Sequence, residues 1–315
     1  MDTTLTTMIW FIAARAVHFG SCLIVFGVCW FDRFAITARV GRESGVVVRA
    51  WERIAARLML VALPLAAISG VAWFVVVAMN MSGLSLHQAM QPHVLRLVFQ
   101  TRFGRLWQWR VICWLATALA AGGIYFSSAK SRVRSALIWL TFVLGAVLLG
   151  SLAWSGHGQD GNRPQWHLLA DTSHLLVAAV WPTGLLPFGI LLLFLRRTPA
   201  DEGWPAASQI TNRFSSISLA SVAILAATGF VNSCYMLRSV SDLFSTTYGR
   251  VLLAKITFFL LAVCLGAVNL LLLKPRLARR PAKIAGKLQI TTTAEIVLAT
   301  AVVVVVALLG TLPPG

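Results

Sequence analysis

Apolar stretches of membrane-crossing length recur along the chain, divided by short polar segments. They cover residues 7–31, 54–79, 106–127, 136–155, 167–195, 214–236, 251–273 and 288–310. Each can cross roughly 30 Å of hydrocarbon as a helix. None alternates apolar with polar residues, so helices are expected and a barrel is not. Every connection is too short for a soluble domain. The expected fold is all-α, a polytopic membrane protein with eight transmembrane helices.

Composition agrees with that reading. Of the 315 residues, 58% are hydrophobic and 12% charged. A net charge of +17 raises the possibility of a nucleic-acid partner, but its placement excludes one. Of the 27 basic residues, 17 follow runs one, three, five and seven, from Arg33, Lys130, Arg196 and Lys274 onwards. The alternate loops hold six: Arg96, Arg102, Arg105, Arg163, Arg238 and Arg250. Positive charge marks cytoplasmic loops, so both termini are expected outside. The first run is expected to be retained, because Asp2 and no basic residue precedes it and no small-residue cleavage site follows. Cys22, Cys29, Cys113, Cys234 and Cys264 stand singly and read as packing residues, although thiols also ligate Cu(I).

The order of short motifs predicts an internal repeat. Thr101-Arg102-Phe103-Gly104-Arg105 returns as Thr246-Thr247-Tyr248-Gly249-Arg250. Ser69-Gly70 returns as Thr228-Gly229, and Leu148-Leu149-Gly150-Ser151-Leu152 as Leu308-Leu309-Gly310-Thr311-Leu312. Arg15-x-x-His18 has a counterpart in Asp171-x-x-His174. The expected organisation is two parallel four-helix repeats, residues 1–155 and 156–315, forming one membrane unit. Sites in such proteins often lie between repeats.

Candidate chemistry concentrates in residues 155–174, which hold His157, His167 and His174 of the six histidines and Asp160 and Asp171 of the ten acids. Such side chains are costly in a membrane and mark function. His167, Asp171 and His174 fall within roughly 60° of one helix face. They start at the outer end of run five and run inward. His157 stands across a Gly-rich loop, so four groups are expected to converge near the outer surface. Imidazole with carboxylate suits Cu(II) or Zn, and Asp171 can instead orient a ligating histidine. His18 lies mid-run, and its repeat partner is His174. Cys22, on the same helix, is a soft donor. Arg110 and Lys255 occupy equivalent-looking places after the repeated Gly-Arg. Glu295 is inside run eight and needs a partner, for which Lys255 is the nearest in sequence. Arg57 snorkels from the inner end of run two. The long outer loop from about 80 to 104, with Met79, Met81, His87, Met90 and His93, reads as a copper-capture surface. No nucleotide-binding, zinc-protease or hydrolase motif is present, so no enzyme is expected.

The ordered motifs resemble the CopD copper-resistance membrane proteins over nearly the whole chain. They are Ser155-Gly156-His157, Asp171-x-x-His174-x-x-Val177-Ala178-Ala179-Val180-Trp181, Gly184-Leu185, Arg213-Phe214-Ser215, Thr228-Gly229, Thr247-Tyr248-Gly249-Arg250-x-Leu252-Leu253-x-Lys255, Gly266-Ala267-x-Asn269, Pro275 and Glu295. The family often has Gly-Gly after the run-five Trp, where this chain has Pro182-Thr183, and Arg where it has Leu270. The resemblance implies copper uptake from periplasm to cytoplasm across the inner membrane, often with a small periplasmic copper carrier, CopC. His157, His167, Asp171 and His174 are then the expected receiving site, with His18 continuing the path and Lys255 and Glu295 setting the deeper electrostatics. Two further readings remain at this point. One is a b-type cytochrome with haem held between His18 and His174, or between His157 and either. The other is a copper-binding scaffold or sensor that moves nothing.

Overall fold

The structure, a computed structural model, describes residues 3–36, 45–127, 131–155, 164–196, 200–277 and 281–313. Every regular element among them is helical. Eight helices are long and apolar enough to cross a membrane: Thr6–Phe34, Gly45–Ser82, Arg102–Phe126, Arg132–Ser155, Gln165–Leu195, Ser208–Met236, Thr247–Leu277 and Ile284–Leu309. They match the eight apolar runs, with longer ends. The second span starts at Gly45 rather than 54, because the helix continues past its apolar part through Arg49 and Arg53. Long basic side chains tolerate that position by carrying their charge to the membrane surface.

Three local sequences shape the spans. In the fifth, the helix stops at Val180 and restarts at Leu185. Pro182 has no N–H to donate. Gly184 fits because a Cβ there would lie 2.2 Å from the Val180 carbonyl oxygen. The seventh span is α-helical to Val268, then forms a π-helical turn over Asn269–Leu273. Such turns are rare and gather at functional sites. The second span ends at Gly83, whose φ of 67° is the left-handed cap that glycine adopts freely.

The third and seventh spans begin alike. The Thr101 hydroxyl accepts from Gly104 N at 3.1 Å, and the Thr246 hydroxyl from Gly249 N at 2.9 Å. A Cβ on either glycine would lie 2.1 Å from a preceding backbone oxygen, that of Val98 or Asp242. Each glycine therefore lets a short helix fold back on its span: Pro92–Gln100 before the third, Asp242–Ser245 before the seventh. The segment expected as an outer loop is thus partly helical, and Pro92–Gln100 buries Val94 and Val98.

The first and fifth spans form the centre. Of their most apolar stretches, 61% and 56% are buried, against 11% for the seventh. The first span packs on the second, fourth, fifth and eighth. Its backbone comes close to the fifth span at Gly27, where a Cβ would lie 2.9 Å from the Ala179 oxygen. Large apolar side chains such as Leu60, Ile68, Trp109, Leu119, Phe230 and Ile290 point outward, as lipid contact requires. The two central spans carry His18 and His174.

Candidate functional site

His18 is fully engaged. Its Nδ1 lies 2.9 Å from the Ala66 carbonyl oxygen and 3.3 Å from Ser69 Oγ. The Ser69 hydroxyl spends its proton on Leu65 O at 2.5 Å, so Nδ1 carries the hydrogen. Nε2 then offers its lone pair to Arg110 Nη2 at 2.7 Å. Arg110 also donates to the Leu148 carbonyl at 2.6 Å and to Ser151 Oγ. Cys22 Sγ stands 3.8 Å from His18 Nε2 and 3.7 Å from Arg110 Nη2. Trp73 and Trp107 flank the imidazole at 5.5 and 5.6 Å between ring centroids. Gly70 admits the ring, since a Cβ there would lie 3.1 Å from His18 Cε1.

His174 has the same cradle and a different outcome. Its Nδ1 lies 2.9 Å from Thr228 Oγ1, and that hydroxyl donates to Ile224 O at 2.7 Å. Thr228 therefore accepts from Nδ1–H, as Ser69 does for His18. Gly229 passes the ring at 3.5 Å from a would-be Cβ, as Gly70 does. The basic residue at the equivalent place is Lys255, which stands close enough to couple by charge with both His174 and Asp171. Among the described residues, His174 Nε2 has no hydrogen-bond partner. A metal-binding imidazole has this arrangement: one nitrogen pinned by an outer partner, the other lone pair available.

Asp171, one turn outward, accepts from Asn232 Nδ2 at 3.4 Å. His167 is buried, its ring stacked flat on Tyr235 at 4.6 Å and 6°. These residues share one side of the fifth span, as their spacing predicts. Among the described residues, no group of three or more His, Cys, Asp or Glu side chains is close enough to hold a metal. His157 lies outside the described residues.

The other candidates separate into distinct places. Met81, His87, Met90 and His93 are exposed, and Met79 is half-buried, around the short helices after the second span. Glu295 takes its hydrogen bond from Asn269 Nδ2 at 2.6 Å rather than from Lys255. The reason is depth. Asn269 lies 14 residues beyond Lys255 on the same helix, about 21 Å at 1.5 Å per residue. Proximity in sequence alone misjudged that pairing. Arg15, expected as the counterpart of Asp171, places its guanidinium 4.7 Å from the Trp73 ring centre and against Gly310. Two cavities, of about 490 and 340 Å³, have no histidine in their walls, so neither offers a pocket for bis-histidine haem.

Arg110 and Lys255 stand at equivalent places in the repeated motifs, but the motifs carry no sign that Arg110 occupies His18. Tyr235, Asn232 and Thr292 were missed outright. Thr228 was visible only as a repeat residue.

Residues 3–166 match the family described as "Copper resistance protein D-like, N-terminal domain", and residues 208–309 match "Copper resistance protein D". The first match covers more than half of the chain. Copper resistance protein D of Pseudomonas syringae pv. tomato is 29% identical over 311 residues, 96% of each chain. Inner membrane protein YebZ of Escherichia coli (strain K12) is 25% identical over 306 residues, 96% of this chain and 98% of its own. Copper transport protein CutJ of Bacillus subtilis (strain 168) is 30% identical over 188 residues, 58% of this chain and 33% of its own.

Proposed function

The chain belongs to the copper resistance protein D family, and we propose that it receives copper at the outer face of the bacterial inner membrane and passes it inward. The basic residues after odd-numbered spans support an orientation with both termini periplasmic. His174 is the principal ligand. The observation that carries this is its pinned Nδ1–H and available Nε2, next to a carboxylate on the same helix face. Asp171 and His167 extend the donor set outward, and His157, outside the described residues, is proposed as a further ligand. Imidazole and carboxylate together suit Cu(II). The exposed Met and His residues after the second span supply a first capture surface. A periplasmic carrier of the CopC type is the expected donor. Without a nucleotide-binding motif, transport is passive, ion-coupled or driven by a partner.

His18 continues the path toward the interface between two four-helix halves, residues 1–155 and 156–315. Its Nε2 becomes a ligand only when Arg110 withdraws, so Arg110 holds that position closed while copper sits at His174. The repeated cradles, Ser69-Gly70 around His18 and Thr228-Gly229 around His174, support this division.

Metal analysis of the purified protein tests the site. The wild type is expected to retain copper, and the His157→Ala/His174→Ala double variant is expected to lose it. Full copper stoichiometry in the double variant would overturn the assignment. An absorbance spectrum of the same sample is expected to lack a Soret band.

A further inference from the structure

The cavities of about 490 and 340 Å³ occupy equivalent places in the two halves of the chain. Glu52 and Thr211 each lie 18 residues before the glycines that pass the histidine rings. Ile124 and Asn269 each lie 20 residues after Gly104 and Gly249. Cys29 and Leu185 each lie 11 residues after His18 and His174.

Their charges differ. In the first cavity Glu52 pairs with Arg134 at 3.0 Å, and Asp32 accepts from Trp51 Nε1 at 2.6 Å. Arg49 and Arg53 also line it. In the second, Glu295 is the one charged wall residue, 1% exposed, with no Lys, Arg or His beside it in the wall. Asn269 Nδ2 donates to Oε2, and the Thr291 hydroxyl donates to Asn269 Oδ1, which fixes the amide with its NH₂ toward the carboxylate. Among the described residues, Oε1 takes no hydrogen bond. Thr292, fully buried, lines the same cavity, and its Oγ1 has no hydrogen-bond partner among the described residues. Its neighbour Thr293 bonds back to its own helix and Thr291 donates to Asn269, so Thr292 stands out. Asn269 opens the π-helical turn.

A carboxylate at membrane depth without a counter-charge is costly and calls for a proton or a cation. The wall holds no thiol, thioether or imidazole, so copper finds no soft or borderline donor there. Its oxygens suit a hard ion. One carboxylate balances one positive charge, whereas a divalent ion would leave net charge in the low-dielectric interior.

We propose that this cavity is a sodium site, with Glu295 Oε1 and Thr292 Oγ1 as ligands and Asn269 holding the carboxylate in place. The site uses none of the histidines, so it stands or falls separately from copper binding.

Thermal unfolding of the full-length protein in detergent, without copper, is the test. Sodium is exchanged for N-methylglucamine at constant ionic strength and pH. The wild-type melting temperature is expected to rise saturably with sodium, because a ligand that binds only the folded state stabilises it. Glu295→Gln is expected to lose the rise, and Thr292→Val to move its midpoint to several-fold higher sodium. Identical wild-type melting in both salts would mean that a proton or water fills the site, and would overturn the proposal. So would a full sodium response in Glu295→Gln. If Glu295→Gln does not fold, an unchanged sodium midpoint in Thr292→Val overturns it.

Discussion

His18 and His174 show how one imidazole environment produces two chemical states. Both rings have a hydroxyl on Nδ1 and a glycine against one edge. The difference is the basic residue opposite. Arg110 is long and forked, and it reaches Nε2 at 2.7 Å. Lys255 stands near His174, whose Nε2 takes no hydrogen bond among the described residues. His174→Ala is therefore expected to remove bound copper, whereas His18→Ala retains it at the outer site. Copper per protein, measured on both variants, decides; equal loss would show that the two rings share one site. Thr228→Val removes the acceptor that orients His174 and is expected to weaken copper binding by about tenfold or more, as loss of an orienting partner typically does. Isothermal titration with Cu(II) measures it.

The helix starts at Thr101 and Thr246 make a second prediction. Each caps a span and stands beside a glycine pressed against the preceding turn. Thr101→Ala is expected to cost about 1 kcal/mol through the lost cap. Gly104→Ala is expected to cost more, about 1–3 kcal/mol, because its Cβ meets the Val98 backbone rather than a movable side chain. Thermal unfolding in matched detergent ranks the two, and a neutral Gly104→Ala would contradict the close approach. Elements of this kind were legible in the sequence. Apolar length alone located all eight spans, and repeated motifs marked two helix starts, while the histidine cradles showed only as unexplained repeat residues. The paired elements that touch across the bundle were not legible. Lys255 is the candidate intramembrane counter-charge for Glu295 that the sequence offers, yet antiparallel spans set neighbours by depth, and Asn269 is the residue at the right depth. The Arg110–His18 contact was hidden for the same reason, being a pairing between the third and first spans. The break at Pro182 could be read from proline and glycine, but the π-helical turn at Asn269 has no comparable signal.

As a whole, the molecule has a dense centre of the first and fifth spans surrounded by helices that face lipid. That arrangement puts both candidate histidines on the least exposed helices and leaves the seventh span's outer surface to the bilayer. The proposed orientation has both termini periplasmic, so alkaline phosphatase fused after Gly315 is expected to be active. The same reporter placed between the fifth and sixth spans, near residue 198, is expected to be inactive. Activity at the internal site would reverse the orientation and, with it, the side from which His174 receives copper. The further consequence concerns transport. Purified protein in liposomes, given external copper, tests whether the bound metal moves inward. Accumulation of copper inside wild-type vesicles, with loss of that uptake in His174→Ala, is the predicted result. Uptake no greater than in protein-free vesicles, or undiminished in His174→Ala, would contradict it.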